Sequence, residues 1–118
     1  MASPKYNKTK GATYEILITK LFRALGYIAE RLRLAGKDDE GDIALTIAGK
    51  TYILELKNTK KIDLPQFWRE AEIEAKNYAK ARGLEIVPPA YVIVKRRNAP
   101  IEKSWVVCPL EQWLEEKK

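Results

Sequence analysis

The stretch Gly41-Asp42-Ile43-Ala44-Leu45-Thr46-Ile47-Ala48-Gly49-Lys50-Thr51-Tyr52-Ile53-Leu54-Glu55-Leu56-Lys57 decides how the chain is read. Apolar and polar residues alternate on both sides of Ala48-Gly49-Lys50, the pattern of two strands joined by a tight turn. With Gly49 and Lys50 as the turn residues, Asp42 faces Lys57 and Ala44 faces Glu55. One face then carries Ile43, Leu45, Ile47, Tyr52, Leu54 and Leu56, all suited to a core. The other carries Asp42, Ala44, Thr46, Ile53, Glu55 and Lys57. A slip of one residue would mix the two sets, and the two-residue period of a strand makes that costly.

In this register Asp42 and Glu55 are diagonal neighbours, with Cβ atoms about 7 Å apart. Two carboxylates at that separation can converge on one hard cation through oxygens roughly 2.1 Å from a magnesium ion. The carbonyl of Leu56 lies between them as a further ligand. Lys57, on the same face, can position and polarise a water or stabilise charge on five-coordinate phosphorus. These are the parts of metal-assisted phosphodiester hydrolysis. The same residues also suit a cross-strand ion-pair cluster worth at most about 1 kcal/mol. Glu-x-Lys recurs at Glu74/Lys76, Glu115/Lys117 and Glu116/Lys118, where solvated helix faces are expected. Gly41, Ala44 and Thr46 keep the Asp42 face uncrowded and favour a site over an ion-pair cluster.

Composition narrows the chemistry from the other side. The chain has 118 residues, no His and one Cys. Imidazole bases, Ser-His-Asp and Cys-His catalysis, His metal sites, intrachain disulfides and Cys-cluster zinc are thereby excluded. Cys108 sits in the apolar run Val106-Val107-Cys108 and reads as a small buried residue. Lys plus Arg is 22 against 16 Asp plus Glu, a net charge of +6, and such a basic chain suits a polyanion such as nucleic acid. No apolar run is long enough to span a membrane and no signal-peptide core opens the chain, so a cytoplasmic, reducing location is expected.

Working outward, residues 1–11 read as a flexible basic arm and residues 12–118 as one domain. Tyr14, Leu17, Ile18, Leu21 and Leu25 recur at helical spacing over 13–25, and Gly26 supplies the stop. Residues 28–34 read as an edge strand and 35–41 as a charged turn. Pro65 opens a helix to about Arg82 with Phe67, Trp68, Ala71, Ala75, Tyr78 and Ala79 as its inner stripe. Two apolar strands, 90–95 and 104–108, follow. Pro109 opens a last helix carrying Leu110, Trp113 and Leu114. The order α-β-β-β-α-β-β-α gives a mixed α/β domain with a central sheet flanked by helices.

A helix containing Glu15, then Gly41-Asp42, then Glu55-Leu56-Lys57, resembles the PD-(D/E)xK nuclease superfamily. Within it the sequence is most similar to archaeal-type Holliday junction resolvases and their phage relatives, through Lys10-Gly11-Ala12-Thr13-Tyr14-Glu15 and Leu25-Gly26-Tyr27. The resemblance spans most of residues 8–95, and Gly41 stands where the superfamily's name has proline. It implies a restriction-endonuclease-like αβββαβ core. It also implies an Mg2+-dependent endodeoxyribonuclease, with Mn2+ able to substitute, that hydrolyses four-way junctions. Carried over by position, Asp42 and Glu55 are metal ligands and Lys57 the water-positioning cation. Glu15 is the first-helix acid, reaching the metal through water, and Gln66 is an accessory polar residue at the start of the second core helix. Forks, flaps or plain duplex are alternative substrates, and a non-catalytic DNA-binding module is the alternative outside enzymology.

Three basic clusters suit DNA phosphates: Lys5/Lys8/Lys10, Lys57/Lys60/Lys61 and Lys95/Arg96/Arg97. Trp68, Trp105 and Trp113 read as core or subunit-interface anchors rather than base-stacking platforms. A domain of this size holds one cleavage centre, so symmetric cutting of a junction calls for a homodimer.

Overall fold

The alternating stretch folds as the hairpin β2 (Ile43–Ile47) and β3 (Lys50–Lys57). In the computed structural model, which describes residues 4–32 and 38–118 with side chains from residue 10 onward, the turn residues are Ala48 and Gly49. Their φ values are +51° and +79°. Two successive positive φ angles make a turn whose twist matches that of the flanking strands, and this geometry outcompetes a Gly49-Lys50 turn. The register is therefore two residues away from the expected one: Ile43 pairs with Leu54, Ala44 with Ile53 and Ile47 with Lys50. Ala44 does not face Glu55. A shift of two preserves the parity of the side chains, so the division into two faces stands.

Both faces are covered. Ile43, Leu45 and Leu54 pack with Tyr14 and Ile18 of α1 (Pro4–Ala24), Ala29 of β1 (Ile28–Arg31) and Ile93 of β4 (Ala90–Val94). On the opposite face, Ala44 and Ile53 pack with Phe67, Ala71, Ala75 and Tyr78 of α2 (Leu64–Ala81). Ala44 is 6% exposed, so it seats a helix rather than keeping an open face uncrowded. α2 starts where expected: Asp63 accepts the Gln66 backbone N–H at 3.1 Å and Pro65 fills the first turn. α1 begins at Pro4, so residues 4–11 are helical backbone rather than an arm; the side chains of Lys5 and Lys8 lie outside the described residues. Its inner stripe is Tyr14, Ile18 and Phe22, while Leu17 and Leu25 are exposed.

The sheet order is β1-β2-β3-β4-β5, with β5 spanning Trp105–Val107. β3 and β4 are parallel and joined through α2; the other pairs are antiparallel. β1 is an edge strand, as its imperfect alternation indicates, and residues 33–37 of the adjoining turn lie outside the described residues. A short 3-10 turn (Ile101–Lys103) precedes β5, and α3 (Leu110–Glu115) follows it with Leu110, Trp113 and Leu114 exposed. No helix of the described residues is long and apolar enough to cross a membrane.

Ala48 adopts a conformation that Asn tolerates better than Ala. Ala48→Asn is expected to raise unfolding stability by about 0.5–1 kcal/mol in urea titrations, with no change in the slope. An unchanged or lower midpoint would contradict the turn assignment.

Candidate active site

Five acidic side chains reach one end of the sheet, and each arrives for a local reason. Gly41 turns the chain just before β2 with φ +99°, and a Cβ there would stand 2.8 Å from Ile53 Cγ2. Proline, fixed near −65°, cannot adopt that angle, which accounts physically for the glycine before Asp42. The Asp42 N–H donates to the Leu54 carbonyl at 3.0 Å, and Asp42 Oδ2 accepts the Leu56 N–H at 2.7 Å. The carboxylate is thus pinned over the end of β3. At this corner it meets groups from both layers, Glu15 of α1 on one side and Glu55 on the other, each near enough to shift its titration.

Glu55 is 7% exposed and points toward α2. Lys57, two residues on, lies on the same face: its Nζ is 3.5 Å from Glu55 Oε2 and 2.6 Å from Glu70 Oε2. The ammonium also stands 5.0 Å from the centre of the Phe67 ring. Gln66 Nε2 donates to Glu70 Oε1 at 3.0 Å, placing the accessory glutamine at the rim, where it steadies Lys57's partner. Glu15 Oε2 pairs with Arg31 Nη2 at 3.0 Å.

Glu74 is not on a solvated helix face. It is 4% exposed, and its Oε2 is buried with no hydrogen-bond partner among the described residues. Oxygens of Glu55, Glu70 and Glu74 lie within 4.8 Å of one another. Two oxygens on one ion are at most about twice the metal–oxygen distance apart, roughly 4.2 Å for magnesium and up to about 5 Å for calcium. The 4.8 Å bound falls within the calcium range and beyond the magnesium one, so a smaller cation would need these oxygens to draw in. Glu70 is paired with Lys57 at 2.6 Å, which leaves Glu55 and the unpartnered oxygen of Glu74 as the donors of this group open to a divalent cation. The signal for Glu70 and Glu74 was in the helix period: Phe67, Glu70, Ala71, Glu74, Ala75 and Tyr78 share one side of α2. Arg31 carried no such signal.

Of the residues predicted from sequence, Glu15, Asp42, Glu55 and Lys57 come together. The Leu56 main chain enters through its N–H. Lys10, Lys60, Lys95, Arg96 and Arg97 line a neighbouring groove, and Lys61 does not.

The cations paired with the five acids are Lys57 and Arg31. Burial, reinforced by Asp42, raises the Glu15 carboxyl to about 7. Burial and Glu55 raise Asp42 to about 7. Glu55 rises to about 8 through burial and Glu74, and Glu74 to about 7 through burial and the nearby Asp39 and Asp42. Lys57 is held above the ordinary lysine range: burial opposes its charge, but Glu70 and Glu55 outweigh it.

These shifts fix the sign of the pH dependence. Between about pH 4 and 8 the folded chain keeps protons that the unfolded chain has released, so stability falls as pH rises through that window. Without metal, the melting temperature is expected to drop between about pH 5 and 8. Magnesium or manganese should raise it more at pH 8, where the acids have lost their protons, than at pH 5. Glu74→Gln removes a buried charge and supplies a donor. It is expected to stabilise the metal-free protein at pH 8 by about 1 kcal/mol and to shrink the metal-induced rise. A pH-independent melting temperature, or a variant as responsive to metal as the wild type, would contradict the electrostatics.

No protein-family model and no curated protein matches the sequence. Among solved structures, the chain is similar to Hjc, a Holliday junction resolvase from the archaeal hyperthermophile Archaeoglobus fulgidus. The two superpose with a TM-score of 0.52 over 82% of this chain and 87% of that one, at 21% identity. The chain thus has the restriction-endonuclease-like fold of that resolvase.

Proposed function

We propose that the chain is a divalent-metal-dependent DNA endonuclease that cuts four-way junctions as a homodimer. The observation that carries this reading is the convergence of Glu15, Asp42, Glu55 and Glu74 beside Lys57, with a buried carboxylate oxygen that has no partner among the described residues. The Hjc-like fold supports the same reading.

Asp42 and Glu55 would hold the cation, with the Leu56 carbonyl and Glu74 beside them, and Glu15 would reach it through water. Magnesium, or manganese in its place, supplies a Lewis acid that polarises a phosphoryl oxygen and lowers the pKa of water. Glu15 and Lys57 orient the attacking water in line with the scissile bond. Its oxygen bonds to phosphorus as the water's proton passes to solvent, the P–O3′ bond breaks, and the departing O3′ takes a proton from solvent, leaving 5′-phosphate and 3′-hydroxyl ends. Lys57 faces the charge that builds on the phosphoryl oxygens, and Glu70 holds it there. Two opposed strands need two such centres, which a twofold pair of chains provides. The exposed Leu110, Trp113 and Leu114 of α3 offer apolar surface for that contact.

Incubation of a labelled four-way junction with magnesium or manganese is expected to give paired symmetric nicks, with an equal-length linear duplex competing poorly. Asp42→Asn and Glu55→Gln are expected to bind the junction while losing at least about 100-fold in cleavage rate. Equal cutting of forks, flaps or duplex would replace the junction by a broader substrate. Binding by the wild type without any cleavage would reduce the chain to a DNA-binding module.

A further inference from the structure

Beside the acids, past the C-terminal ends of β3 and β4, lies an open groove of about 780 Å³. It runs between the connection after Lys57 and the segments flanking Val94 and Trp105. Five cations line it, Lys10, Lys60, Lys95, Arg96 and Arg97, and none of them forms an ion pair with a carboxylate among the described residues. No Asp or Glu lines it. Its charge is thus matched to a polyanion and to nothing else in the described chain.

The wall between these cations is not polar. Trp105 is 55% exposed, Val106 65% and Ile62 49%, and the Arg96 guanidinium lies 4.5 Å from the centre of the Trp105 ring. A duplex buries its base faces in the stack and offers such a wall only phosphates and groove edges. An unpaired nucleotide offers both a phosphate and a bare aromatic face, the two chemistries present here.

We infer that this groove binds an unpaired nucleotide at the branch point of the DNA, its base stacked against the Trp105–Arg96 pair and its phosphates held by Lys60, Lys95 and Arg97. The inference rests on the nuclease reading for its substrate and adds that a base is drawn out of pairing where the strands cross. Trp105 is then a base platform, not the core or interface anchor its sequence suggests.

The test uses the full chain with a chelator present, so that binding is read whether or not the acids cut DNA. A 12-nucleotide oligothymidine is expected to quench tryptophan fluorescence. Trp105→Ala is expected to weaken its binding about tenfold while changing affinity for a 12-base-pair duplex less than about twofold. Trp105→Phe, which keeps a ring, should recover most of the loss, and melting curves should show both variants folded. Equal losses on single strand and duplex, or no loss on either, would overturn the inference. A shift of Trp105→Ala from dimer to monomer in sedimentation would also overturn it, by assigning the wall to contact between copies. Failure of junction cleavage with these results intact would overturn the nuclease reading alone.

Discussion

A carboxylate placed in a protein interior is opposed by lost hydration, and a second carboxylate beside it by like charge. This fold does both at one end of its sheet, setting Glu15, Asp42, Glu55 and Glu74 in succession with, among the described residues, only Lys57 and Arg31 paired to the group. Protons can relieve such a cluster at low pH, and a divalent cation at high pH. The packing that enforces it is apolar and lies elsewhere. Ile43, Ile53 and Val92, each at most 1% exposed, tie β2, β3 and β4 to the two helices.

The sheet end is where such a cluster can form. Along a strand, neighbouring side chains point to opposite layers, so Glu15 on the α1 side and Glu55 on the α2 side would ordinarily be separated by the sheet. Asp42 bridges them because Gly41 bends the chain at the sheet's corner and the Leu56 N–H fixes the Asp42 carboxylate there. The same end carries the C-termini of the parallel strands β3 and β4, the usual location of a crevice in α/β sheets. Acids and cationic groove thereby adjoin without sharing residues: Lys57 belongs to the first, and Asn58, its neighbour in the chain, to the second.

Much of this was legible in the sequence because it is periodic. The alternation over 42–57 fixed which residues share a face, even though the turn and hence the register came out two residues away. That miss has a cause: preference for Gly at a turn's first position was set against the pair of positive φ angles that Ala48 and Gly49 adopt. Asp42, Glu55 and Lys57 stay together despite it because parity is kept. What the linear pattern hid was three-dimensional. The helix period puts Glu74 on the apolar side of α2, but that it meets Glu55 emerges only when α2 is laid over β3, and Arg31 meets Glu15 only once β1 has paired. The start of α1 at Pro4 and the short 3-10 turn at Ile101 went unread since neither segment carries apolar periodicity.

Whether these acids jointly hold a divalent cation can be read from a manganese-soaked crystal by diffraction at the manganese edge. An anomalous peak is expected within about 2.4 Å of carboxylate oxygens of Asp42 and Glu55, with Glu74 turned toward it. A crystal with no peak there, or with the manganese bound only to surface carboxylates, would contradict joint binding by these acids.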